Sequence, residues 1–252
     1  MSRSFPHDGS PVAPLTPSTA SGTAAPDHEP SVVPAPEPAV LPAPRTVRHR
    51  GTDVALVATF AAFVAACALV PAIPTGSGVP ITLQTFGVVL AGLVLGPLRG
   101  FLAVTLYLVV GLAGVPVFAE MTGGLGVLGK PSVGYLLAFP AAAAVGGAFG
   151  TLALRVPARR PAPGPDASSV RRLVARAAPA VRLVALVAAG LGASFVTIHP
   201  AGVAGLVWRL GLDVPAAVAV DAVYWPGDVV KNVLAALVTL AVLRAYPDVR
   251  RR

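Results

Sequence analysis

The sequence predicts an all-α, polytopic membrane protein with six transmembrane helices. Of its 252 residues, 55% are hydrophobic and only 12% are charged, and the mean hydropathy is +0.75. Soluble domains carry about a quarter charged residues. Long uncharged runs recur along the chain, and most of the basic residues lie between alternate runs. These observations exclude an ordinary cytosolic domain and indicate a chain built to cross a bilayer.

Residues 1–50 differ from the rest in composition. They hold 11 of the 27 prolines and balance four basic residues against four acidic ones. Such a segment buries too little apolar surface to offset the entropy lost on ordering. We therefore expect a disordered, Pro-rich cytoplasmic tail at 1–50, a six-helix membrane domain at 51–245 and a basic cytoplasmic tail at 246–252.

Uncharged runs define the six helices in chain order. The first run, 54–98, is too long for one span and is interrupted by the segment Pro71–Pro80, so it predicts two helices. Several of the runs are shorter than the ~20 residues that a full span needs. A basic cytoplasmic loop is expected at 155–182. The predicted helices cover residues 54–70, 81–95, 100–119, 131–154, 183–208 and 226–243.

The basic residues orient these spans. Six spans place 15 arginines on one side, in the flank before the first helix, the turn after the second, the loop after the fourth and the carboxyl-terminal tail, and only Lys130 and Arg209 in the loops of the other. Because cytoplasmic segments carry the excess of basic residues, both termini are predicted to be cytoplasmic and the protein to lie in the cell membrane among lipids. The net charge of +8 is thus explained by topology, and nucleic acid is not expected as a partner.

Two ionisable residues in the last helix are the best candidates for a site. Asp228 and Lys231 are three residues apart in Pro226-Gly-Asp228-Val-Val-Lys231, so both project from one face of the helix. Ionisable groups within a membrane helix are costly and usually functional. An acceptor beside a cationic donor suits a ligand that carries both N–H groups and a carboxylate.

An enzyme is the alternative from another class. A membrane-embedded hydrolase could use Asp228 or Ser194, but no second catalytic aspartate follows a tyrosine in the chain. Catalysis by Ser194 would need a base within hydrogen-bond reach. His199, the one histidine after residue 50, is instead expected to be a loop or interfacial residue. No catalytic residue is predicted.

A glycine-rich segment imitates a nucleotide site. Gly124–Lys130 fits the opening of a P-loop, but Pro131 occupies the place of the Ser or Thr that would hold magnesium. We interpret the segment as a closely packed outer loop. The single cysteine, Cys67, excludes a disulfide within the chain, and no metal site is expected.

Small residues recur along the first helix. Ala58, Ala62 and Ala66 follow one another at intervals of four residues, a spacing that lets helices approach closely. The stripe could pack inside the protein's own bundle or against a helix of a partner.

Several spaced motifs together resemble the BioY family, the biotin-binding S components of energy-coupling factor (ECF) transporters. The resemblance covers about residues 54–245 and leaves out the tail at 1–50 and the basic segment 159–176. The motifs, in the family's order, are Ile81-Thr-Leu-Gln84-Thr-Phe-Gly, Leu95-Gly-Pro-Leu-Arg99-Gly, Tyr107-Leu-Val-Val-Gly-Leu-Ala-Gly-Val-Pro116-Val-Phe118-Ala, Gly124-Leu-Gly-Val-Leu-Gly129-Lys130-Pro131-Ser-Val-Gly134-Tyr135 and Pro226-Gly-Asp228-Val-Val-Lys231.

The resemblance implies a vitamin-binding membrane protein whose site lies near the outer surface. It implies that Lys231 binds the valerate carboxylate of biotin and that Asp228 accepts hydrogen bonds from the ureido N–H groups. Further substrate-binding candidates carried by the motifs are Gln84, Phe118, Glu120 and Tyr135.

The resemblance also implies partners. The stripe Ala58, Ala62 and Ala66 would contact the transmembrane coupling subunit of an ECF transporter, which associates with two ATPase subunits. A homo-oligomer is also compatible with the sequence. No cofactor is expected, because biotin would be the transported ligand. An S component for another vitamin is the alternative within the same class.

Overall fold

The computed structural model describes residues 50–155 and 169–250, with the side chains of 51–155 and 177–250. Residues 1–49 of the predicted tail, residues 156–168 of the predicted basic loop and the last two residues lie outside this described part. Within it the chain is helical, and its only β pairings are two isolated bridges, Ile73 with Ile81 and Phe118 with Thr122.

Eight α-helices follow one another along the described chain. A π-helical turn, Ser194–Ile198, joins the fifth to the sixth, and short 3-10 turns lie in the loops. The helices are α1 Arg50–Leu69, α2 Gln84–Leu95, α3 Pro97–Leu112, α4 Val133–Ala153, α5 Ser169–Ala193, α6 His199–Leu210, α7 Val214–Ala222 and α8 Trp225–Ala245.

Four segments of the described chain are long and apolar enough to cross a membrane, and α2 and α3 are apolar but shorter. The four are Gly51–Leu69, Val133–Ala153, Ala177–Leu210 and Trp225–Ala245, and the third of them runs from α5 through the π turn into α6. The all-helical prediction is confirmed for the described residues, and the apolar segments are consistent with a multi-pass membrane protein, whereas the number of six spans stays a prediction.

The observed helices depart from the predicted ones mainly in the third helix, the fifth helix and an additional short helix. The third helix ends at Leu112 rather than at 119. It stops because Gly114, with a φ of 109°, leaves the helical conformation and Pro116 lacks an N–H to continue the helix. The fifth begins at Ser169, so the second half of the segment predicted as a basic loop is helical. The short α7 was not predicted at all.

Glycines let α4 pack closely against α6 and against α2, which is buried along most of its length. A Cβ on Gly92 would collide with the carbonyl oxygen of Ala143 in α4, and one on Gly134 would collide with the carbonyl oxygen of Ala201 in α6. These contacts bring backbone against backbone, as small residues do between membrane helices.

Two arginines connect the helices near the carboxyl-terminal end of α2. Arg99 donates to Asp53 of α1 at 3.2 Å and to the carbonyl oxygen of Val249 at 2.6 Å. Arg250 donates at 3.3 Å to carbonyl oxygens of both α2 and α4. Burial, and then the neighbouring arginines, lower the pKa of Arg250 to about 10, so it stays charged at neutral pH.

Candidate functional site

A pocket opens where the amino-terminal ends of α2, α4 and α8 meet the α3–α4 connection and the start of α6. Its space is about 820 Å³ when the part open to solvent is included. The lining includes all six predicted substrate-binding residues, Gln84, Phe118, Glu120, Tyr135, Asp228 and Lys231. The structure brings them together, and their binding of a ligand stays a prediction.

Asp228 lies at the centre of the polar wall. Pro226 suits the first turn of α8, and Asp228 in the same turn is only 2% exposed. One of its oxygens, Oδ1, accepts hydrogen bonds from Thr85 at 3.1 Å and from Lys231 Nζ at 3.0 Å. Lys231 also donates to Thr85 at 3.0 Å, which closes a triangle of three polar groups.

His199 forms the other side of this wall, so the expectation of a loop or interfacial position is wrong. Its side chain is buried, with Nδ1 2.9 Å from Asp221 and Nε2 3.3 Å from Oδ2 of Asp228. The π turn before it accommodates Pro200, which cannot donate a backbone hydrogen bond in a regular helix. Both ring nitrogens face carboxylates rather than Ser194.

Asp221 does not line the pocket itself but contacts two residues that do, Tyr135 and His199. It belongs to α7 and is 1% exposed. Besides the contact with His199, it accepts a hydrogen bond from the Tyr135 hydroxyl at 2.8 Å and one from Trp225 Nε1 at 2.9 Å. Thus Tyr135, predicted as a wall of the site, also fixes a buried carboxylate.

An aromatic and amide wall faces these charges. Phe118 is buried with its ring edge-on to Tyr107, the ring centroids being 5.4 Å apart. Gly111 must stay bare there, because a Cβ would collide with the Phe118 ring. Gln84 Nε2 donates to the Tyr107 hydroxyl at 2.6 Å, and its Oε1 accepts from Thr82 at 2.9 Å. In this arrangement Gln84 supports the wall with both ends of its amide.

Glu120 lies at the rim. It is 58% exposed and pairs with Lys130, 39% exposed, at 3.8 Å. Its φ of 59° and the 55° of Met121 are both left-handed, an uncommon conformation for these residues. An exposed pair of this kind contributes little stability.

The stripe of small residues on α1 faces outward. Ala58, Ala62 and Ala66 are exposed, whereas Ala61 and Val64 on the other face are buried in the bundle. The stripe is therefore not used for packing inside the described part of the chain, and its contact with a partner stays a prediction.

The polar residues around Asp228 that sequence reasoning missed include Thr85 and His199 in the lining and Asp221 in contact with His199. The signal that found Asp228, an ionisable residue within an apolar run, applies equally to Asp221 and His199. Thr85 carried no comparable signal. Among the described residues, no group of three His, Cys, Asp or Glu is arranged to hold a metal ion.

The fold and the site define a multi-pass helical membrane protein with a charged, partly open pocket at one end of its bundle. Comparison with protein families identifies the family within this class. The model of the BioY family matches residues 43–248, and the chain therefore belongs to that family.

Individual proteins similar to this chain agree with the family assignment. The chain is 39% identical over 208 residues to the biotin transporter BioY of Rhodobacter capsulatus, covering 78% of this chain and 95% of that protein. It is 34% identical over 196 residues to the biotin transporter BioY of Rhizobium etli, at 77% and 95% coverage. The crystal structure of the S-component for biotin from an ECF-type ABC transporter has the same fold, with a TM-score of 0.62 at 22% identity, covering 79% of this chain and 94% of that one.

Proposed function

We propose that this chain takes up biotin across the cytoplasmic membrane as the high-affinity substrate-binding subunit of an ECF-type transporter. Its relatives are named biotin transporters, and one of the same fold is an S-component for biotin. The observation that carries the proposal is the buried carboxylate–ammonium pair of Asp228 and Lys231 in the pocket wall. Biotin is the transported ligand, and no cofactor takes part.

The pocket suits both ends of biotin. Asp228 accepts hydrogen bonds from the ureido N–H groups, and Lys231 binds the carboxylate. Phe118 and Tyr135 provide apolar surface for the fused rings, and Gln84 holds the wall in place. The amino-terminal ends of α2, α4 and α8 border the pocket, and their dipoles favour an anionic ligand.

Binding of the carboxylate requires Lys231 to move. Its Nζ is 3.0 Å from Asp228 Oδ1, whereas the ureido and carboxylate groups lie at opposite ends of biotin. Because the lysine stem is flexible, Nζ can leave Asp228 and follow the carboxylate toward the rim. Lys130 with Glu120 is the other cationic contact available there.

Titration calorimetry on the detergent-purified protein tests the substrate. We expect tight binding of biotin, binding of dethiobiotin, which keeps the ureido group, and no binding of thiamine. Binding of thiamine without biotin by well-folded protein would show that the chain serves a different vitamin.

Lys231→Met tests the site. Loss of a charge-assisted hydrogen bond, worth roughly 1.5–3 kcal/mol, should weaken biotin binding by about ten- to a hundredfold. It should weaken binding of biotin methyl ester, which has no carboxylate charge, much less. Val230→Ala, at an exposed neighbour on the same helix, is the control. Equal losses for biotin and its ester would mean that Lys231 only balances Asp228, and Lys130→Met would then be the variant that separates the two ligands.

The chain acts within this scheme as a transporter subunit rather than as an enzyme. A hydrolase would need a base for Ser194, but both nitrogens of His199 face carboxylates. Counting α2 and α3 with the four long segments gives six spans. The excess of basic residues on one side supports two cytoplasmic termini, which leaves the pocket open to the outside.

The outward stripe Ala58, Ala62 and Ala66 is the proposed contact with the ECF coupling subunit, which associates with two ATPase subunits. We expect Ala62→Leu to reduce co-purification with the coupling subunit several-fold without changing biotin affinity, because a larger side chain separates closely packed helices. Ala241→Leu, at an exposed alanine of α8, is the control. Unchanged co-purification would place the interface elsewhere, and loss of self-association instead would assign the stripe to a homo-oligomer.

A further inference from the structure

One row of buried polar groups extends beyond the ligand-facing pair. It runs from Asp221 through His199 to Asp228 and Lys231, and connects α7, α6 and α8. The side chains of Asp221, His199 and Asp228 are no more than 5% exposed and that of Lys231 is 13% exposed. Buried charges are tolerated when they are paired and hydrogen-bonded, so the charges of this row must balance.

The donors around Asp221 indicate that it is ionised. The Tyr135 hydroxyl and Trp225 Nε1 both donate to it, and His199 Nδ1 lies 2.9 Å away. Since a carboxylate accepts and does not donate, Nδ1 carries the proton of its contact with Asp221.

The other nitrogen of His199 faces a second carboxylate. Nε2 lies 3.3 Å from Oδ2 of Asp228, a charge contact less well aligned than a hydrogen bond. An unprotonated Nε2 would direct its lone pair at the lone pairs of Oδ2 and repel that oxygen. A protonated Nε2 attracts the oxygen instead. With both nitrogens protonated, the ring and Lys231 supply two positive charges against the two carboxylates, and the row is neutral.

We propose that His199 is a positioning residue for the substrate site: its doubly protonated ring bridges Asp221 and Asp228, cancels the charge of Asp221, and holds one oxygen of Asp228 so that the other faces the ligand. The effect on biotin affinity rests on the proposed function. The charge state and the bridge do not, because they are properties of the protein without ligand.

One single variant and one double variant test the charge balance. His199→Gln removes the positive ring and leaves the row with one net negative charge, whereas His199→Gln with Asp221→Asn restores neutrality. We expect the single His199→Gln variant to lose about tenfold or more in biotin affinity and to unfold at a lower temperature. The double variant should regain most of both losses. A role in packing alone would make the double variant as impaired as the single one or worse, because Asp221→Asn restores no contact and also weakens the bonds from Tyr135 and Trp225.

Nitrogen-15 NMR of histidine-labelled full-length protein tests the same idea without ligand. The chain has four histidines, and only His199 follows residue 50. At pH 7.5 we expect one ring with both nitrogens protonated, whose signals disappear in His199→Gln. A neutral ring would overturn the proposal, even if the variants failed to fold. A third outcome is that the wild type fails to bind biotin while its His199 ring is charged and the double variant regains stability. In that case the proposed function would fail and the bridge would stand.

Discussion

Individual carboxylates in the pocket are held by donors from several helices. Asp228 of α8 contacts Thr85 of α2, Lys231 of its own helix and His199 of α6. Removing one donor from a buried acceptor costs its desolvation as well as the hydrogen bond. Single polar substitutions here should therefore change stability even before any ligand is added.

Tyr135→Phe is the mildest such change. It removes only the hydroxyl that donates to Asp221 and keeps the ring, so the free energy of unfolding should fall by about 1.5–3 kcal/mol. The apparent melting temperature in detergent measures this. Tyr246→Phe, at an exposed tyrosine, should leave it unchanged, and equal shifts in the two variants would contradict the role given to the Tyr135–Asp221 bond.

At the same scale, the sequence predicts some site residues better than others. Asp228 and Lys231 were found because a charged residue in an apolar run is costly and because helix geometry puts i and i+3 on one face. His199 was misplaced because its direction depends on the π turn at Ser194–Ile198, and one extra residue in a turn changes which way the next side chain points. Glu120 was predicted as a candidate contact, but its left-handed backbone at the rim had no sequence signal.

Among elements, close backbone contacts decide which helices are neighbours. We expect Gly134→Ala to destabilise the protein by about 1–3 kcal/mol, because the added methyl group overpacks the contact of α4 with α6. Thermal unfolding measures this, with Gly126→Ala as control, since a Cβ on Gly126 meets nothing within 4 Å. Two variants of equal stability would mean that the helices separate there without cost.

Helices that coincide with long, mainly apolar runs were predicted closely, and those defined by other features were not. The bounds of α2, α4 and α8 differ from prediction by three residues or fewer. The start of α5 was missed because its first turns are basic and amphipathic, and hydropathy detects only the part that fits in lipid. The short α7 was missed because its apolar residues continue toward α8 and its start depends on a capping bond that Asp213 accepts from the backbone N–H of Ala216.

For the whole molecule, the proposed orientation can be measured directly. Leu125 on the α3–α4 connection and Tyr246 after α8 are both exposed, and the single native cysteine, Cys67, is buried. A membrane-impermeant maleimide added to intact cells should label Leu125→Cys, and should label Tyr246→Cys only after the cells are permeabilised. The reverse pattern would invert the topology and turn the pocket toward the cytoplasm.

The unequal lengths of the helices have a consequence for the surrounding lipid. The segment Ala177–Leu210 has 34 residues, about 51 Å at 1.5 Å per residue, whereas α3 has 16 residues, about 24 Å, and exposes Phe101, Leu102 and Leu106. A hydrocarbon core of about 30 Å matches neither length, and tilting, bending of the long segment or a local change in bilayer thickness accommodates the difference. Such mismatch costs fractions of a kcal/mol per Å. The stability of this protein in vesicles should therefore depend on lipid chain length, and lipids that adapt to both lengths should be retained next to it.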